Sequence, residues 1–383
     1  MKQRLVHLDM LRGSAALAVC LEHLRAFLFV PFPAVAHPNL LERVFYFFSG
    51  LGHQAVMFFF VLSGFLVGGS VIAAQRAKRW SWGGYAIRRL SRLWMVLIPA
   101  LLLTFFWDRL GQHLAAPGYR GEYQFLYHSG PAPELPVDLS STTFLGNCLF
   151  LQTIDVNCFG SNSPLWSLAN EFWYYLLFPL GWLMLAGGTW WRRLACAALV
   201  AGLFWWLPGN ILLGGVIWLF GAGVYALTRS ERGRHWLGHP LWLVGGALAT
   251  LAMLAVSRLW QIGPVGDVLL GLAAAVLVGG LAVRTCPAGL YSRLSAAASE
   301  FSYTLYLVHF PLLACLFFTC YQGRQLAPGP WSALLFAGLL SLVIAYAAAI
   351  WWCCERNTDR LRKRLEFALG RRQGGAGSPA DLP

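Results

Sequence analysis

The chain has 383 residues, of which 58% are hydrophobic, 15% aromatic and only 12% charged, with a formal net charge of +13. Such a composition excludes a water-soluble globular domain, because an aqueous surface needs more charge over so much apolar area. The positive charge lies at the ends of apolar runs, so it reads as a membrane-topology signal and not as a nucleic-acid footprint.

Crossing ~30 Å of hydrocarbon takes about 20 mainly apolar residues. Runs of that kind predict ten transmembrane helices, near residues 8–30, 45–73, 88–107, 165–187, 191–208, 210–228, 240–257, 264–284, 301–320 and 331–354. The expected fold is an all-α integral membrane domain over 8–354, with a long outer connection at 108–164. A basic, partly disordered tail follows at 355–383. Of the 29 lysines and arginines, 22 fall at the termini and in alternate connections on one side, and six on the other. By the positive-inside rule both termini are expected in the cytoplasm. The trio Ala34-Val35-Ala36 looks like a cleavage site, but the run before it is too long and too charged for a signal peptide.

The first predicted helix, "LDMLRGSAALAVCLEHLRAFLFV", carries Asp9, Arg12, Glu22, His23 and Arg25 in a bilayer-spanning stretch. Arg12 and His23 are eleven residues apart, three turns plus about 20°, so they share a face roughly 16 Å apart along the axis. Asp9 lies within about 60° of that line, and Glu22 points to the side. Asp9 with Arg12 is compatible with a helix-end ion pair, and Arg25 with snorkelling. His23 is the better functional candidate, since charged or titratable groups inside a membrane mark a site or a pathway.

In the second predicted helix, Ser63-Gly64-Phe65 offers a serine, but Gly64, Gly68 and Gly69 more simply permit close helix packing or backbone approach to a ligand. The third begins with Arg88, Arg89 and Arg92, and Arg89 with Arg92 can fork around a phosphate. The outer connection supplies Tyr119, Tyr123, Tyr127 and His128 as candidate sugar-stacking groups. Cys148 and Cys158 there are placed to pair in an oxidising compartment, and the pairing is left open. The fourth helix follows a Ser161–Pro164 cap and carries Glu171 about 10 Å below its outer end, the level of His23. A general-base arrangement follows, with Glu171 or Asp9 orienting His23. Asp267 near the start of the eighth helix is a weaker acceptor contact, equally read as a helix-start carboxylate. His309 lies near mid-membrane in the ninth, with Tyr303 and Tyr306, and reads equally as a hydrogen-bonded packing residue or an active one. No zinc-type spacing and no phosphate-cradling glycine loop occurs, so no metal is expected.

At these residues the chain resembles the acyltransferase-3 family of bacterial membrane O-acyltransferases. The likeness rests on "LDMLRG" with Arg12-x10-His23, "FFFVLSGFLVG" (58–68), Arg89-x-x-Arg92, "SPLWSLANEFWYYLLFP" (163–179) and "SYTLYLVHFPLL" (302–313), in that order from about Leu8 to Trp352. One departure is Met57, where many relatives carry an acid. The resemblance implies that an acyl group, usually acetyl, passes from cytoplasmic acyl-CoA to a hydroxyl of an extracytoplasmic glycan such as O-antigen or exopolysaccharide. It implies His23 as the catalytic residue, with Glu171 assisting catalysis or acceptor binding; Asp9 joins the expected catalytic set from its place on the His23 face. Arg12, Arg89, Arg92, Ser63, Gly64 and Phe65 are then donor-binding, and Trp166, Ser167, Tyr175 and His309 acceptor-binding. The expected partners are a carbohydrate or lipid-linked glycan and membrane lipid, without nucleic acid, in a bacterial inner membrane. No second soluble domain is expected after Trp352. Intramembrane Arg, Glu and His also suit a proton-coupled transporter or flippase, although no internal repeat supports that alternative.

Overall fold

The computed structural model describes residues 5–127, 130–186, 188–260 and 262–368. Among these there is no β-strand, only isolated bridges such as Phe29 with Leu326. Among the described residues, ten helices overlap the ten apolar runs: α1 (Val6–Leu28), α2 (residues 52–76), α3 (Trp82–Leu114), α4 (Trp166–Ala186), α5 (Trp190–Trp206), α6 (Gly209–Thr228), α7 (Pro240–Trp260), α8 (Gly263–Ala282), α9 (Ser302–Leu316) and α10 (Pro330–Cys353). Among the described residues, seven helical stretches are long and apolar enough to cross a membrane, and these contain α2, α3, α6, α7, α8, α9 and α10. The stretch around α1 is missing from that set because its charges are too many.

Two boundaries differ from the sequence expectation. The apolar run at 45–73 divides into a short helix, Leu40–Phe48, and α2, which begins at Gly52. A capping box starts the short helix, with Asn39 and Glu42 exchanging side-chain and backbone bonds. At the other boundary, α3 runs on to Leu114, through the start of the expected connection. Its Asp108 is fully buried and accepts from the Ser161 N–H (2.6 Å) and hydroxyl (2.7 Å). That contact and Asn162, which donates to Thr104 Oγ1 and Leu307 O, tie the connection down just before α4. Tyr119 is 2% exposed and packs edge-on against Phe318, and Tyr123 lies against the same ring, so neither is an open sugar platform. His128 and residues 369–383 lie outside the described residues. Cys148 and Cys158 are free thiols, and burial pushes the Cys158 thiol up to about 12.

α1 is the central rod, packing against α2, α9 and the helix Leu290–Glu300, and touching α8 and α10. Its ionisable residues therefore face protein and not lipid. α2 contains a π-helical turn, Gly64–Gly68, where one extra residue is fitted into the helix. There α2 and α6 meet backbone to backbone: a β-carbon on Gly64 would collide with the Trp218 carbonyl, and one on Gly221 with the Val61 carbonyl. Gly64 is thus occupied by packing, and Phe65, 4% exposed, sets its ring against Tyr225. Neither faces the cavity described next.

Candidate active site

A cavity of about 220 Å³ opens between α1, α2, α3, α4 and α9. Its wall is mostly apolar. The polar groups that reach it are Arg12, Ser63, Arg89, Arg92, Ser167, Glu171, Tyr175 and the hydroxyls of Ser302, Tyr303 and Tyr306. Seven sequence-expected site residues from four helices therefore converge on one space.

The arginines gather at the end where α1 and α3 begin. Arg12 bonds the Ser299 hydroxyl and lies 3.4 Å from Asp9 Oδ1 and from Ser299 O. Ser299 in turn donates to Asp9 at 2.9 Å. Asp9 therefore fixes the arginine and does not reach His23. Arg89 donates to Ser70 Oγ at 3.1 Å and lies over the Tyr85 ring, while its buried Nε has no hydrogen-bond partner. Arg92 pairs with Glu355 at 3.0 Å, and Glu355, 4% exposed, also accepts from Thr304 at 2.6 Å. Residue 355 was expected to open a tail, yet it is a buried wedge between α3 and α9.

Deeper in, hydrogen bonds run in one direction toward Glu171. The Tyr175 hydroxyl donates to Glu171 Oε2 at 2.9 Å, so its oxygen must accept from Ser63 at 3.2 Å, and Ser63 accepts from Trp218 Nε1 at 3.0 Å. The Ser63 hydroxyl is held among Tyr175, Glu171 and Trp218, which suits a positioning serine and not a nucleophile. Ser167 and Tyr306 share a 2.7 Å bond at the far wall, where Phe59 meets Tyr306 edge-on.

His23 sits beyond that wall, and its partner is His309 of α9, Nδ1 to Nε2 at 2.8 Å. The expected orienting groups, Glu171 and Asp9, are not its partners. His309 Nδ1 is 2.9 Å from the Leu305 carbonyl, which can only accept, so Nδ1 carries the proton. In its uncharged form His309 then accepts at Nε2 from His23 Nδ1–H, and the lone pair of His23 stands on Nε2. The relay is thus Leu305 C=O, His309, His23, and it leaves His23 Nε2 as the atom able to accept a proton. Phe310 closes the other side of the His23 ring, edge-on at 4.9 Å, and the Tyr306 ring lies 6.2 Å from His309. His309 is fully buried and does not line the cavity, so an acceptor contact is replaced by a contact to His23.

Trp166 also stands outside the cavity, between His53 and Phe60. Helix periodicity put Arg12 and His23 on one face, but nothing in it joins His23 to a residue 286 positions away. The nearest signal was the histidine in the ninth apolar run.

Residues 5–350 match a known family, acyltransferase-3, described as an acyltransferase domain. No curated protein and no solved structure matches the chain.

Proposed function

The chain belongs to the acyltransferase-3 family, and from that premise we propose a membrane O-acyltransferase that carries acetyl from acetyl-CoA in the cytoplasm to a hydroxyl of an extracytoplasmic glycan. The observation that carries this reading is one rod, α1, which brings Arg12 to a cavity at one level and His23 to a paired imidazole further along. Three arginines with an apolar wall suit a phosphorylated head followed by a narrow arm, as in a coenzyme A thioester. The buried, unpartnered Arg89 Nε fits a ligand oxygen there. The lysine and arginine asymmetry supports setting that end in the cytoplasm, in a bacterial inner membrane.

On this reading the acceptor hydroxyl gives its proton to His23 Nε2 as its oxygen attacks the thioester carbonyl. The carbon–sulfur bond breaks, and the thiolate takes the proton back from His23. His309 holds the ring and its tautomer throughout, and Glu171, fixed by Tyr175, is placed to meet the donor arm in the cavity. Acyl transfer first to His23 itself is the other route, and it leaves a labelled protein.

The test is label transfer from radioactive acetyl-CoA in membranes carrying wild type or His23→Ala. Loss of a base costs about 10²–10⁴-fold in rate, so glycan labelling should fall by that order while the protein still inserts. Equal labelling by the two, or none by wild type, overturns the reading and favours a proton-coupled transporter.

A further inference from the structure

A histidine–carboxylate pair lies against the other face of α1, away from the His23–His309 pair. His53, the second residue of α2, places Nε2 at 2.9 and 3.0 Å from the two carboxylate oxygens of Asp267 in α8. Asp267 is beyond the first turn of α8, so the helix-start reading gives way to a side-chain partner. Only Nε2–H can serve a carboxylate here, which leaves the lone pair of uncharged His53 on Nδ1. The His53 side chain is 53% exposed and Asp267 24%, so this is no sealed core contact.

The surroundings fix the backbone that carries this imidazole. The His53 backbone N–H donates to Glu22 Oε2 at 3.0 Å, and a β-carbon on Gly52 would strike Glu22. Arg25 donates to Ser49 O at 3.4 Å, and Arg258 lies over Gly50, where a β-carbon would sit 2.7 Å from its Nε. With Glu22 and Asp267 against Arg25 and Arg258, the group is balanced in charge when His53 is neutral. The Trp166 ring, at the start of α4, lies within 21° of parallel to the His53 ring with centroids 6.5 Å apart. Glu22 and His23 are chain neighbours, so this cluster and the His23–His309 pair stand at one level on two faces of one helix.

We propose that His53, held by Asp267, and Trp166 form the subsite for a saccharide acceptor, with a sugar hydroxyl donating to His53 Nδ1 and the ring's apolar face against the indole. The inference rests on the acyltransferase reading and adds where the acceptor binds. A ring bearing hydroxyls above and hydrogens on one face matches an exposed acceptor atom beside an amphipathic aromatic. A group bound there lies within about one helix diameter, ~10 Å, of His23.

The experiment uses the full chain in membranes, radioactive acetyl-CoA, and the extracellular glycan fraction of the producing cells at graded concentrations. His53→Ala and Trp166→Ala are each expected to raise the KM for glycan at least tenfold while the KM for acetyl-CoA and the thermal midpoint stay unchanged. Asp267→Asn, which still accepts from Nε2, is expected to remain near wild type. A staple between α2 and α8 predicts the reverse, a lower midpoint with the glycan KM intact, and that result overturns the subsite. If His53→Ala does not insert, the Trp166→Ala glycan KM decides alone. A wild type that acetylates no glycan overturns the acyltransferase reading itself, whereas an active enzyme with unchanged glycan KM in the variants overturns only this subsite.

Discussion

His309 makes two contacts, one to the Leu305 carbonyl and one to His23. If its task is to hold the proton of His23 on Nδ1, a side chain that keeps an acceptor near the Nε2 position should preserve most of the activity. His309→Gln is expected to lose no more than about tenfold in kcat, and His309→Ala about 10²-fold or more, the scale of a misplaced general base. Acetyl transfer rates for the pair, with KM for acetyl-CoA unchanged, check this. Much of the cavity was legible in the sequence: Arg12, Arg89, Arg92, Ser63, Ser167, Glu171 and Tyr175 were chosen from spacing or resemblance, and all seven line it. The pairing of His23 was not legible, because a helical period says which residues share a face and nothing about which helix lies opposite. Asp9 was assigned to His23 on that same face, but Ser299, from a helix that shows no apolar run, takes it instead.

At the scale of elements, the α2–α6 contact depends on two glycines facing carbonyls. Gly221→Ala puts a β-carbon into the Val61 carbonyl and should cost about 1–3 kcal/mol, the usual price of overpacking. Gly223→Ala on the same helix meets nothing within 4 Å and should leave the thermal midpoint where it is. Asp138 anchors the helix Ser141–Cys148 by accepting from Thr143 and from the Ser140 N–H at 2.8 Å. Those bonds, Thr143 first, hold its carboxyl below the ordinary 3.8. The folded value is the lower one, so the stabilisation is full above 3.8 and fades as pH falls through the folded value. Amide exchange of residues 138–148 should accelerate in that acid range, and Asp138→Asn should remove the pH dependence. The positions of the ten long helices were readable from apolar runs, whereas the short helices such as Leu290–Glu300 were not. The break before Gly52 was not, because the apolar end of the Leu40–Phe48 helix, residues 44–48, leads almost directly into the span it precedes.

For the whole molecule, the arginine cavity and the His53 cluster lie at opposite ends of the bundle, and the sidedness of those ends is a prediction from loop charge. Cys286 stands at the end where α8 stops and Cys320, exposed, at the end where α9 stops. In single-cysteine variants an impermeant maleimide added to intact spheroplasts should label Cys320 and spare Cys286. The opposite pattern would invert the proposed direction of transfer. Because α1 runs unbroken from Arg12 to His23, it also acts as a ruler whose graduations are 1.5 Å per residue. On the proposed reading a coenzyme A donor would be measured by its arm and not by its acyl tail: phosphates held by the arginines would fix one mark, and the thioester would reach the other only if the arm has the matching length. Extra carbons on the acyl group would then extend past the second mark, toward the proposed acceptor subsite, so chain-length selection is expected to fall to the space beyond His23 and not to the arginines.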